Sequence, residues 1–240
     1  MSHYPQADFY AAVALDSWDT FGPTVAAALA PWAGRPGVAV DAGAGTGLST
    51  QVLASVFAGE VLACEPAFAL RASLMTRVTG DPDLIRRTTV LPWDVDRMIG
   101  EISEPLTVVT AFNMFGHVGD DTRAAFWAWL GRWLTDDGVA VIGPIAEQDT
   151  GSRDERETPL PSRAVGRLTY SATARAETID DTHGRWHLTW RIHDGDRLVD
   201  ERSSSFDWQR AHPEVLIAAA AEHGLTARLT DDGLLLATRA

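Results

Sequence analysis

The chain has 240 residues, 45% of them apolar and 22% charged, which suits one domain of ordinary to large size and excludes a disordered, fibrous or disulfide-stapled protein. Its formal charge is −13, and all 20 of its basic residues are arginines. Without a lysine there is no Schiff base, no phosphate loop of the GxxxxGK[ST] kind and no kinase-type strand lysine, and the acidic balance argues against non-specific nucleic-acid binding.

The single cysteine, Cys64, excludes an internal disulfide and a cysteine metal cluster. Met1 to Gln6 carry no basic stretch leading into an apolar run, so no signal peptide is expected. No apolar run approaches the roughly 18 residues of a membrane span, and a cytoplasmic protein with no membrane partner is the expectation.

In chain order, helices near 7–17 and 23–32 come first, and residues 1–35 read as lid helices. Pro36-Gly37 opens a strand at Val38-Ala39-Val40, and Gly47 starts a helical stretch through Phe57. A second strand covers 60–64, with Pro66 where the next helix begins. A third strand is read over 84–91 and a fourth over 106–112. Phe126, Trp129, Leu130 and Trp133 mark one face of a helix over 122–134, and a turn at Asp136-Asp137-Gly138 leads into a fifth strand, 139–143. This alternation predicts a doubly wound α/β sheet, with 36–143 as its ligand-binding core.

The texture then changes. Residues 145–162 read as a polar loop, followed by strand-type runs over 163–180, 185–193 and 197–208. In the second, Trp186, Leu188, Trp190 and Ile192 alternate with His187, Thr189, Arg191 and His193, as in a half-buried antiparallel strand. Residues 144–210 are thus an antiparallel insertion after the fifth strand, and 211–240 hold a final helix (212–223, closed by Gly224) and a hairpin. Residues 151–210 carry 10 arginines and 11 acids, net −1, against net −12 elsewhere, so the acidity belongs to the α/β part.

The strongest motif is Val38-Ala39-Val40-Asp41-Ala42-Gly43-Ala44-Gly45-Thr46-Gly47, which follows a strand and opens a helix. Glycines there let the chain bend sharply and let a ligand come close. The dinucleotide fingerprint GxGxxG fails, because its third position would be Leu48. The pattern is an acid followed by GxGxG.

On these residues the chain resembles the class I S-adenosylmethionine-dependent methyltransferases, which have a Rossmann-like fold. The resemblance covers 36–143 by motif and the rest by element order. It implies S-adenosylmethionine as cofactor, with Asp41, Gly43, Ala44, Gly45 and Gly47 wrapping its methionine part. Glu65, 18 residues past Gly47, is implied to take the ribose hydroxyls, with Pro66 beside it; a carboxylate accepts two hydrogen bonds from a diol. Asp94 is implied near the adenine amino group, with Trp93 packing on the ring, although Asp94 also reads as a helix N-cap and Trp93 as core.

The end of the fourth strand carries Phe112-Asn113-Met114-Phe115-Gly116-His117, where open α/β sheets hold their ligands. His117 is the first candidate for general base or substrate orienter, against a histidine bonded only to local backbone. Asn113 is a candidate contact to substrate or cofactor. Tyr4 and Tyr10 are candidates to close over the methyl group, with Tyr10 also reading as core. The [N/D]PP[Y/F] motif of members that methylate DNA or protein amides is absent, and Asn113 stands where metal-dependent members have an acid, so no metal is expected. The insertion's position resembles the small-molecule N-methyltransferases of the amino-sugar type, in which extra strands build the acceptor pocket and often a subunit interface, leaving a homodimer open. The expected activity is methyl transfer to an amine or hydroxyl of a small, natural-product-type acceptor. The alternatives are a non-methylating cyclase and a silent cofactor-binding module on the same fold.

Overall fold

The computed structural model describes residues 7–145, 157–210 and 212–240. Among the described residues, 22–145 and 212–240 make one compact unit, and 7–21 and 157–210 the other.

The first element is one helix, α1 (Ala7–Leu29), with a 3-10 turn at Ala30–Trp32. The two helices read from sequence are therefore continuous through Pro23. Proline removes one helical donor, but both flanks are anchored: Phe9 and Val13 are buried before it, Val25 and Leu29 after it. Next come β1 (Val38–Ala42), α2 (Leu48–Val56), β2 (Glu60–Cys64), α3 (Phe68–Thr79), α4 (Leu84–Arg87), β3 (Thr88–Leu91), α5 (Val95–Glu101), β4 (Leu106–Phe112), α6 (Asp120–Trp133) and β5 (Leu134–Gly143).

Two expectations here need correction. The third strand begins only at Thr88, because 84–87 is a helical turn. Asp81 Oδ1 accepts from the amides of Asp83 and Leu84 (2.7 and 3.2 Å), and Arg86 and Arg87 both reach back to the Asp83 carboxylate at 2.8 Å. The Asp136-Asp137-Gly138 turn lies inside β5 rather than before it. Leu106 pairs with Leu134 and Val108 with Val139, so 135–138 bulge out of a parallel ladder that resumes on either side.

The second unit is a five-stranded sheet of β6 (Thr158–Pro159), β7 (Arg163–Val165), β8 (Leu168–Thr178), β9 (His183–Asp194) and β10 (Arg197–Gln209). The run read over 163–180 is thus two strands, and β6 escaped the sequence reading. The alternation in β9 is borne out where it matters: Trp190 and Ile192 are buried on the face that meets Phe9 and Val13 of α1, together with Ala172. Arg163 reaches Asp16 and Asp19 of α1 at 3.3 and 2.6 Å, and the Arg202 guanidinium lies 4.9 Å over the Phe9 ring. Of the polar loop read over 145–162, residues 146–156 lie outside the described residues, as does Tyr4.

The chain returns through α7 (Pro213–Glu222), β11 (Leu225–Leu229) and β12 (Leu235–Arg239). The seven-stranded sheet has the order β11-β12-β5-β4-β1-β2-β3. β1 to β5 are mutually parallel, and β12 runs antiparallel to β5. β4 is buried along its whole length, as a strand covered on both faces must be. The order reverses at β1, with β4 on one side and β2 on the other, so the crevice outside the carboxyl ends of β1 and β4 is the natural ligand position.

Candidate active site

Every α/β candidate sits at the carboxyl end of one of four neighbouring strands. Asp41 is in β1, and the glycine loop follows it. Glu65 follows β2, Asp94 follows β3 and Asn113 follows β4.

The loop needs its glycines for different reasons. Gly43, Gly45 and Gly47 all have positive φ, at 72°, 56° and 89°. A Cβ on Gly47 would stand 2.8 Å from Leu74 Cδ1, so this glycine lets α3 pack close. A Cβ on Gly45 would meet no atom nearer than the Gly43 carbonyl oxygen at 3.9 Å, so here the chain leaves open space over the loop. Gly47→Ala should therefore cost folding stability, about 1–3 kcal/mol in a urea melt. Gly45→Ala should cost less stability and more ligand affinity. Equal stability losses from the two would contradict this assignment.

Glu65 is buried at 5% exposure. Its Oε2 accepts from the Gly45 amide at 2.9 Å and its Oε1 from the Ala67 amide at 2.7 Å. Each oxygen keeps a second lone pair for a hydroxyl donor. Burial pushes the Glu65 carboxyl above its usual range, opposed by those two amides and by Arg71. Arg71 also donates to the carbonyls of Glu65 (2.7 Å) and Pro66 (2.9 Å), fixing the turn after β2.

Asp41 plays a different part. It is 1% exposed, Oδ2 accepts from Ser49 Oγ (2.7 Å) and Thr50 Oγ1 (2.6 Å), and Oδ1 accepts from Thr110 Oγ1 (2.9 Å). This carboxylate ties β1 to β4 and to the start of α2, and so holds the loop from beneath. Burial raises its pKa, and the three hydroxyls oppose the rise. Asp41→Ala leaves three buried hydroxyls without their acceptor, and should destabilise the fold by about 2–4 kcal/mol in urea unfolding. A change under half a kcal/mol would count against the tie.

Asp94 caps α5, its Oδ1 accepting from the Arg97 amide at 2.9 Å, while Oδ2 makes no hydrogen bond among the described residues. Trp93 is half-buried against the core, with Arg97 5.4 Å over its ring. Asn113 has φ 52° and is the one non-glycine residue with positive φ among those described. Its amide donates to the Gly143 carbonyl at 2.9 Å, and the residue is exposed. His117 ends a 3-10 turn, Phe115–His117, and its amide donates to Met114 O at 2.8 Å. The residue is exposed, yet its ring is crowded enough that desolvation lowers the imidazole pKa below its ordinary value. Tyr10 is partly buried beside Phe9, Val13 and Trp190 in the antiparallel unit, which gives its ring a packing role.

Sequence reasoning missed Ser49, Thr50 and Thr110 beneath Asp41, Arg77, whose Nε donates to the Thr46 carbonyl at 3.1 Å, and Met114, 3.1 Å from the position of a Gly43 Cβ. Hydroxyls at 49 and 50, eight and nine residues past the acid, were the legible signal.

A parallel sheet reversing at β1, a glycine loop after β1, an acid after β2 and a final antiparallel strand together make the fold of the class I methyltransferases. Solved structures share it across the chain. The S-adenosylmethionine-bound CalS10 of Micromonospora echinaspora, an amino pentose methyltransferase of calicheamicin biosynthesis, is 22% identical with a TM-score of 0.74, over 100% of this chain and 99% of that one. DesVI of Streptomyces venezuelae is 17% identical, TM-score 0.75, over 100% of both chains. The sugar N-methyltransferase KedS8 of Streptoalloteichus sp. is 20% identical, TM-score 0.67, over 91% of this chain and 85% of that one. No protein-family model matches the chain, and no curated protein does.

Proposed function

We propose that the chain is an S-adenosylmethionine-dependent methyltransferase acting on an amine or hydroxyl of a small, natural-product-type molecule. The observation that carries this reading is the buried Glu65 carboxylate, held by the amides of Gly45 and Ala67 beside the open space over Gly45. That arrangement fits the cofactor's ribose diol and the chain attached to it. Likeness to an amino pentose methyltransferase over the whole chain, and to a sugar N-methyltransferase over 91% of it, supports the reading and favours an amine as acceptor.

The cofactor, when bound, supplies a methyl group already activated on a sulfonium, so alignment does most of the catalytic work. Glu65 would accept the two ribose hydroxyls, and the face of the 43–47 loop would hold the methionine part. Pro66, Trp93 and the unbonded oxygen of Asp94 bound the adenine side. Asn113, directly after β4, is assigned as a contact to substrate or cofactor. Asp41 acts through the loop as a positioning residue. His117, with its lowered pKa, is neutral at pH 7 and able to take a proton from an acceptor that arrives protonated. Tyr10→Phe tests whether the hydroxyl adds anything to the packing role of that ring. The reading assigns no metal; among the described residues no group of three or more His, Cys, Asp or Glu could hold one. It also assigns no membrane partner; no described helix is long and apolar enough to cross a membrane.

The test is turnover. Incubating the protein with S-adenosylmethionine and a panel of amino sugars, nucleotide-linked amino sugars and hydroxylated small molecules should release S-adenosylhomocysteine with at least one of them. Cofactor binding without release across the panel would overturn the methyltransferase reading in favour of a cyclase or a silent binding module.

A further inference from the structure

The methyltransferase reading uses the segment after β4, and the question is what holds that segment in place. Asn113 is in the left-handed region at φ 52°, and the Phe115–His117 turn is too short to hold itself. Arg123, one turn into α6, is 8% exposed and points back at this segment. Its Nε and Nη2 both donate to the Phe115 carbonyl oxygen, at 3.0 and 2.6 Å. Its own amide donates to Gly119 O at 3.0 Å, closing the connection between the turn and α6. The side chain of Phe115 is buried edge-on against Phe126 (5.3 Å) and Trp127 (5.8 Å) of the same helix. Phe115 is thus gripped at its carbonyl and at its ring by one helix.

A buried guanidinium is costly unless hydrogen-bonded. Its Nη1 also stands 3.9 Å from Asp120 Oδ1, on an exposed side chain. Burial accordingly lowers the Arg123 pKa. A bond from a charged donor to a carbonyl is stronger than a neutral one, and a fork closing on one oxygen fixes direction as well as distance. Arginine can present two parallel N–H groups in a plane, whereas a lysine ammonium acts as a point donor.

From this geometry we infer that Arg123 is a positioning residue that fixes the Asn113–His117 segment through the Phe115 carbonyl; its effect on turnover rests on the methyltransferase reading above. Arg123 does not reach the reacting atoms. It sets where Asn113 and His117 stand.

Arg123→Lys and Arg123→Met test it, the first keeping charge and fold, the second keeping only the apolar stem. Hydrogen–deuterium exchange should rise in the peptide covering 113–119 in both variants, more in Arg123→Met, with the strands of the seven-stranded sheet unchanged in Arg123→Lys. With an acceptor from the panel, Arg123→Lys should lose on the order of tenfold or more in kcat, while the KM for S-adenosylmethionine stays within about twofold of wild type. A fold-only role would lower the melting temperature and leave that split flat. Unchanged exchange at 113–119 in Arg123→Lys overturns the inference, and so does unchanged kcat. If wild type turns over no acceptor while exchange still rises locally, the positioning of the segment stands and the methyltransferase reading falls.

Discussion

Glu65→Gln should weaken the binding of S-adenosylhomocysteine by about two orders of magnitude in isothermal titration calorimetry. A hydrogen bond to a charged group is worth about 1.5–3 kcal/mol, the proposed diol makes two, and each 1.4 kcal/mol is about tenfold in affinity. Glutamine also turns one acceptor into a donor. Both Glu65 oxygens already face amides, Gly45 at 2.9 Å and Ala67 at 2.7 Å, so the new NH2 group must oppose one of them. The variant's melting temperature, read alongside, separates loss of the loop from loss of the ligand contact. Acid gives a second arm. Burial lifts the Glu65 carboxyl above the usual carboxylate range. The ionised form is the one that accepts two hydroxyls, so affinity should fall as pH falls, beginning at a higher pH than an ordinary glutamate would show. That limb should vanish in Glu65→Gln. Unaltered affinity in the variant would remove the cofactor frame altogether.

Glu65 was legible because its evidence is local: a strand, an acid at the strand's end and a glycine loop at a fixed distance. The same holds for Asp94, whose place before α5 marks it as a cap. What stayed hidden depends on partners far off in sequence. The sequence reads as two helices, near 7–17 and 23–32, yet α1 runs through Pro23 because buried side chains on both sides hold the helix. Leu84 and Ile85 read as strand, yet the Asp81 and Asp83 carboxylates turn the segment into helix. Asp41 matched a cofactor motif, and only the fold brings Thr110 of β4 beside it to join the hydroxyls of Ser49 and Thr50.

The absence of lysine takes on structural meaning here. Arginines hold the carbonyls of several turns: Arg71 on Glu65 and Pro66, Arg77 on Thr46, Arg87 on Phe57, Arg123 on Phe115, and Arg239 on Gly131 and Leu134. Three of these five residues act on segments that bear candidate site residues. Arg239 lies 105 residues from Leu134, a separation that no local pattern reveals. A planar fork suits this work better than an ammonium. Whatever removed lysine from the composition, the fold makes use of what replaced it.

His117→Ala should lower kcat by about 10²–10⁴-fold, the usual range for a positioned acid–base group, while S-adenosylhomocysteine affinity stays near that of wild type. The direction of its pKa fixes the shape of the pH profile. Desolvation lowers the imidazole pKa below its ordinary value. A base must be neutral to act, so wild-type kcat should rise with pH through this lowered value and then level off near neutrality. In His117→Ala that limb should disappear, leaving only the titration of the acceptor itself. His117→Gln separates the two roles open to the side chain: a glutamine can orient an acceptor by hydrogen bonding but cannot carry a proton at these pH values. Recovery of most activity in His117→Gln would make His117 an orienter. An unchanged pH–rate profile in His117→Ala would remove it as the base. The rate would then rest on alignment alone, which an activated methyl donor permits when the acceptor arrives already deprotonated.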